Sequence, residues 1–382
     1  MLPSVFTAIG ALLSLAGLAY SVPQIGSTTT ITPPLATQTR LSTGRVACNN
    51  SPDLCTRSYN NITHMGAHDV AFLRDSSTSF SVSGNTFYNA TLALSAGIRL
   101  LQAQVHDSNG ILQLCHSSCS LLDGGTLESW LSKIKAWMDI NPNEVVSLLL
   151  VNADNHPIGD YGTVFQTSGI SVYGFTPALR SATSNWPTLR TMIAAKNRLV
   201  TFVTNIESSA DVPYILPQFN YVFETHFEVT TSSTGFNCTV DRPSSLSSGS
   251  GTSAVSSGFM SLMNHFQYNE MAFGITVPAI EFIETTNSAA RNVTGALGNH
   301  AVRCNSEWGT KPTFVLVDFF NVGPAIQVAD NMNQITPTGR IVLSTAQLTA
   351  ATSGGARSEF QSWFGAAALA MGVIALGYSV WL

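Results

Sequence analysis

Short apolar runs alternate with amphipathic stretches along most of this chain, and a longer apolar run stands at each end. Segments 61–65, 99–105, 111–115, 145–151, 199–204, 221–225, 271–277 and 313–319 are brief, apolar and rich in β-branched residues, which predicts strands. Several are apolar at successive rather than alternate positions, as strands of a parallel sheet covered on both faces must be. Leu127, Trp130, Leu131, Ile134, Trp137 and Met138 recur at helical spacing on one face, and Asn141-Pro142 ends that helix. Strands and helices in alternation predict a parallel α/β architecture.

The polar stretches set the expected boundaries. Residues 27–43 are dominated by Ser, Thr and Pro, which bury too little apolar surface to fold and read as a stalk. A Ser/Gly-rich stretch at 244–257 predicts a mobile surface loop. Val5 to Ala19 is apolar, and Ala19-Tyr20-Ser21 offers small residues for cleavage before Val22, so 1–21 is expected to be a signal peptide. Trp363 to Leu382 is apolar with no basic residue after it, and Ser353-Gly354-Gly355-Ala356 with a polar spacer precedes it. This order predicts a removable tail that directs a glycolipid anchor, with a transmembrane helix as the alternative. The expected organisation is a signal peptide at 1–21, a linker at 22–47, one catalytic domain at 48–340, a linker with the anchor site at 341–362, and the tail at 363–382.

Composition adds the compartment. A net charge of -5 with 10% charged residues leaves no basic footprint, which argues against a nucleic-acid partner. Sequons at Asn49, Asn61, Asn89, Asn237 and Asn292 predict a glycosylated protein, secreted or held at the cell surface. The 6 cysteines allow many pairings; pairing nearest neighbours gives Cys48–Cys55, Cys115–Cys119 and Cys238–Cys304. A zinc site is the other reading of such cysteines, but neither local pair has a second matching half.

The stretches with chemistry lie where strands are expected to end. Gly66-Ala67-His68-Asp69 follows the first strand, Gly97-Ile98-Arg99 opens the second, and Leu114-Cys115-His116 closes a hairpin. Alternation along the second strand puts Gln102, Gln104 and His106 on one face and turns Arg99 away from the two glutamines. These motifs, with Asn143 to Asn152 and Pro312 to Asn321 after them, resemble the X region of phosphatidylinositol-specific phospholipase C-like phosphodiesterases, in their secreted, cysteine-containing fungal branch. The resemblance covers most of Cys48 to Asn333 and implies a distorted (β/α)8 TIM-type barrel of the α/β class.

It also implies roles. His68 would be the general base on the attacking hydroxyl and His116 the general acid on the leaving oxygen, since cleaving a phosphodiester requires one proton removed and another supplied. Asp318 would hold His68 in the productive tautomer, and Asp69 is suited to serve either imidazole. Gln102, Gln104, His106, Asn152 and Glu224 are expected to line the substrate pocket. Metal-dependent members carry acidic ligands at the glutamine positions, and bacterial metal-independent members an Asp and then an Arg. No cofactor or metal is therefore expected, and the charge that would neutralise the phosphate is missing. Either an Arg enters from elsewhere, or the substrate is less demanding, or catalysis has been lost. The expected function is a phosphoric diester hydrolase acting on a phospholipid or glycerophosphodiester at a membrane surface. The alternative is a catalytically silent barrel serving in the cell wall or binding lipid.

Overall fold

The fold is described from a computed structural model that covers residues 46–231, 235–271 and 275–352. The expected signal peptide, the stalk to residue 45, the anchor site and the apolar tail lie outside them. Among the described residues no helix is long and apolar enough to cross a membrane.

In chain order the strands are β1 (His64–Ala67), β2 (Leu100–Ser108), β3 (Ile111–Cys115), β4 (Asp123–Thr126), β5 (Val146–Asn152), β6 (Leu199–Val203), β7 (Ile215–Pro217), β8 (Val222–Glu224), β9 (Met260–Asn264), β10 (Tyr268–Glu270), β11 (Thr276–Pro278) and β12 (Phe314–Val317). Eight of them form one parallel path, β7-β6-β5-β2-β1-β12-β9-β8. Around that path the chain order is that of a (β/α)8 barrel, with no hydrogen-bonded register joining β7 to β8 among the described residues. The barrel is thus distorted by a seam. β3 and β4 branch from the outer half of β2 as an antiparallel hairpin.

Local sequence explains the first two strands. Gly66 pairs with Leu316 on one side and Leu100 on the other. A Cβ there would come within 2.8 Å of Leu316 and 2.9 Å of the Val315 carbonyl, so only glycine lets β1 lie in the sheet. Gly97, at φ 114°, ends the helix Ala90–Ala96 in a left-handed turn that feeds β2. Arg99 turns away from the barrel mouth, as alternation predicts, and is pinned by Glu144 at 2.5 Å and Asn50 at 2.6 Å.

Helix Leu127–Ile140 buries the apolar face expected of it and is capped by Thr126, which accepts from the Ser129 N–H. Truncating a buried leucine such as Leu131 would cost about 2–5 kcal/mol. The three nearest-neighbour disulfides, Cys48–Cys55, Cys115–Cys119 and Cys238–Cys304, are all formed.

Three expectations need correcting. Segment 271–277 is not a barrel strand; β11 pairs with β10 as an antiparallel hairpin, and residues 272–274 lie outside the described residues. The barrel position belongs to β9, whose Met, Ser and Asn carry little β propensity yet are buried throughout. The stretch 244–257 is not simply a mobile loop: it contains the helix Gly251–Ser256, capped by Ser250 and packed closely against Trp308. The sequon at Asn49 is closed to glycosylation, because that side chain is buried and exchanges two hydrogen bonds with Val145, at 3.2 and 2.7 Å.

Candidate active site

β1 delivers His68 and Asp69 to the carboxyl end of the barrel, where the backbone of His68 still donates to Val317 at 2.9 Å. Asp69 then turns into the left-handed region at φ 46°, which a short polar side chain tolerates better than most. Two glutamines of β2 fix this turn. The Gln102 Oε1 accepts from the Asp69 N–H at 2.6 Å, and the Gln104 Nε2 donates to Asp69 Oδ2 at 2.7 Å.

Asp318 follows β12, the strand beside β1, and its Oδ1 lies 2.8 Å from His68 Nδ1. A carboxylate can only accept, so Nδ1 carries the proton and the neutral ring keeps its lone pair on Nε2. Asn85 donates to the same Asp318 oxygen at 3.1 Å. Asn287 holds the following backbone through the carbonyls of Asp318, Phe319 and Val322, at 2.9, 3.3 and 3.1 Å. The Phe266 ring lies flat on His68, with centroids 3.7 Å apart and planes 9° apart.

His116 arrives from the β3–β4 hairpin. Its ring packs crosswise to Phe72, with centroids 5.2 Å apart, and neither ring nitrogen has a hydrogen-bond partner among the described residues. The backbone sets its direction instead: His116 N–H donates to Leu122 at 3.0 Å, Ser117 N–H donates to Gln104 Oε1 at 3.1 Å, and Cys115–Cys119 closes the turn. Asp69 Oδ2 stands between the imidazoles, 3.6 Å from His68 Nε2 and 3.8 Å from His116 Nε2.

The two rings titrate in opposite directions. Burial alone would lower His68, but the charges of Asp69 and Asp318 and the hydrogen bond to Asp318 outweigh it, so its pKa is raised. For His116 burial dominates and His68 adds to it, so its pKa is lowered despite Asp69.

The structure therefore brings together His68, Asp69, Gln102, Gln104, His116 and Asp318. Three other residues expected in the pocket have different partners. His106 Nδ1 faces Asp154 at 3.3 Å, on the part of β2 that pairs with β3. The Asn152 amide closes a loop onto the backbone of His156 at 2.9 and 3.0 Å. Glu224 is ion-paired with Arg242 and accepts from Asn264 at 3.4 Å. Gln102 and Gln104 bond to Asp69 and to the His116 loop.

Asn85, Phe266, Tyr268 and Asn287 escaped the sequence reading. The last three follow β9 or its hairpin, the region whose strand pattern was misread, and Asn85 lies in an irregular loop with no periodicity. A finer signal was the alternation of Phe266 and Tyr268 directly after β9.

The PI-PLC X 1 family model matches residues 54–333. An uncharacterized secreted protein of Arthroderma benhamiae is 35% identical over 309 residues, 79% of this chain and 67% of that protein. A PI-PLC X domain-containing protein 1 of the same fungus is 35% identical over 288 residues, 75% of this chain and 89% of that protein. Among solved structures, the phosphatidylinositol-specific phospholipase C of Listeria monocytogenes aligns with 73% of this chain and 94% of its own, at a TM-score of 0.45 and 14% identity.

Proposed function

We propose, from the premise that this chain belongs to the PI-PLC X family, that it cleaves a phospholipid or glycerophosphodiester by general acid–base catalysis at His68 and His116, without a metal. The observation that carries this reading is the 2.8 Å bond from His68 to Asp318, which fixes the proton on Nδ1 and leaves Nε2 as the lone-pair nitrogen, 3.6 Å from the Asp69 oxygen that stands between the two rings.

In the proposed step, His68 Nε2 takes the proton of the attacking hydroxyl as its oxygen bonds to phosphorus. The opposite P–O bond breaks, its electron pair stays on the leaving oxygen, and His116 protonates that oxygen. Asp318 orients His68 and stabilises the imidazolium that forms, the division of labour familiar from Ser-His-Asp triads. A raised pKa makes His68 the stronger base, and a lowered one makes His116 the stronger acid.

We also propose an extracellular membrane surface as the place of action, with the 363–382 tail directing a glycolipid anchor; the secreted fungal relative supports export. One observation favours a silent lipid-binding barrel instead: the charges acting on His68 are those of Asp69 and Asp318, both negative. A lipid-hydrolysis panel with the purified protein separates the two. Turnover that disappears in both His68→Ala and His116→Ala supports the enzyme. Lipid binding without turnover in the parent protein favours the silent barrel.

A further inference from the structure

The site described above has two carboxylates and two imidazoles, and the amide bonds made by Gln102 and Gln104 go to Asp69 and the His116 loop. A phosphate entering there gains from a further neutral donor. Tyr268, on β10, packs its ring crosswise to His68, with centroids 6.3 Å apart, and to Phe266, with centroids 5.6 Å apart. Its backbone N–H is anchored to Val229 at 2.8 Å, and β10 is braced by pairing Tyr268 with Pro278. Its hydroxyl makes no hydrogen bond among the described residues, yet it lies in the field of Asp318 and Asp69.

We propose that Tyr268 donates its hydroxyl hydrogen to a non-bridging phosphoryl oxygen of the substrate, and that the site, with this neutral donor beside two carboxylates, selects diester monoanions over monoester dianions. This rests on the hydrolase reading for its substrate class. Burial, together with Asp318, Asp69 and Glu228, raises the phenol's pKa well above its ordinary value, so the group remains a neutral donor across the working pH range. A neutral donor can satisfy one phosphoryl oxygen, but it does not offset the repulsion two carboxylates exert on a second phosphate charge. Arg99 and Arg242 offer no relief, being paired with Glu144 and Glu224.

The test has a binding arm and a turnover arm, both on the intact exported protein. Calorimetry at pH 8 with dibutyl phosphate, a diester, and monobutyl phosphate, a monoester, reads the selection directly. The diester should bind roughly 10-fold tighter or more, and Tyr268→Phe, which keeps the ring and its packing, should weaken diester binding roughly 10-fold. Equal binding of the two probes, no diester binding, or an unchanged diester affinity in Tyr268→Phe overturns the proposal. In turnover, Tyr268→Phe should lower kcat by about 100-fold, the usual loss for one donor to a developing charge. The rate difference between the two phosphorothioate diastereomers of a cleaved diester should also shrink toward unity. Loss of rate with the diastereomer difference intact would mean that Tyr268 only packs, and would overturn it too. If the parent protein binds dibutyl phosphate but cleaves no diester, the hydrolase reading fails while the Tyr268 contact is still judged by the binding arm.

Discussion

Gln104 donates its amide hydrogen to the carboxylate of Asp69 at 2.7 Å, and its oxygen accepts from the Ser117 N–H at 3.1 Å. One side chain thus joins the turn after β1 to the loop that carries His116. Gln104 thereby ties together the two backbone turns that carry the imidazoles.

Gln104→Leu should therefore lower kcat about 10- to 100-fold, because the buried Asp69 loses a donor, at a cost of about 1–3 kcal/mol, and the His116 loop loses its tether. Gln104→Glu distinguishes positioning from bulk: ionised, it repels Asp69; protonated, it donates again. Its deficit relative to the parent should shrink as pH falls, whereas that of Gln104→Leu should not. Parallel profiles for the two variants would show that the amide bond is not the relevant contact.

Much of this was legible in the sequence for a physical reason. β12 is an uninterrupted apolar run, and β5 is broken only by Ser147 before it ends at Asn152, because both faces of a barrel strand are buried; Gly66 and Gly97 mark backbone that no side chain fits. β9 was hidden because burial in the barrel wall, rather than β propensity, holds Met260–Asn264 extended. For Asn152, Glu224 and His106, strand position gives the face or end on which a residue lies but not the partner that reaches it first. Arg242 and the loop at His156 come from parts of the chain that no strand pattern could connect to those positions.

The Cys115–Cys119 bond predicts a selective effect of reduction. A loop this short contributes at most about 2 kcal/mol through the unfolded chain, so Cys115→Ser with Cys119→Ser should remain folded. Among the described residues His116 has no side-chain hydrogen bond to fall back on, so turnover should drop at least roughly 10-fold while lipid binding persists. Circular dichroism, a lipid-binding assay and turnover on the same sample check this. Full activity in the double variant would make the bridge purely structural.

Chelators should leave turnover unchanged. Gln102 and Gln104 offer neutral amides where a hard cation needs carboxylates, and their oxygens already accept from Asp69 and Ser117. Among the described residues, only Cys238, His300 and Cys304 bring three ligand atoms within 4.8 Å of one another, and those cysteines form a disulfide. Loss of rate in EDTA with rescue by calcium or magnesium would contradict the metal-free reading.

The pH dependence carries a directional signature. With His68 raised and His116 lowered, the rate should fall at acid pH when both rings are protonated, and at alkaline pH when both are neutral. His116 sets the acid limb, below the usual imidazole value of about 6.5, and His68 sets the alkaline limb, above it. Asp318→Asn removes a charge that raises His68, so its alkaline limb should move to lower pH and the acid limb should shift less. A variant that loses rate without moving the alkaline limb would place Asp318 outside the titration of His68.

A bell-shaped profile cannot say which imidazole is the base, because exchanging the two roles gives the same curve. Leaving-group dependence can. A p-nitrophenyl phosphodiester departs as a stable anion and needs no proton, whereas an alkyl diester leaves as an alkoxide that does. If His116 is the acid, His116→Ala should lose about 100-fold or more on the alkyl diester and retain most of its rate on the p-nitrophenyl one. His68→Ala should lose comparably on both, because the attacking hydroxyl must be deprotonated either way. The proposed assignment rests on two observations: His68 is backed by Asp318, which would stabilise the positive charge a base acquires, while His116 has no hydrogen-bonded carboxylate among the described residues and a lowered pKa. Rescue of His68→Ala rather than His116→Ala by the activated leaving group would reverse the two roles while keeping the pair.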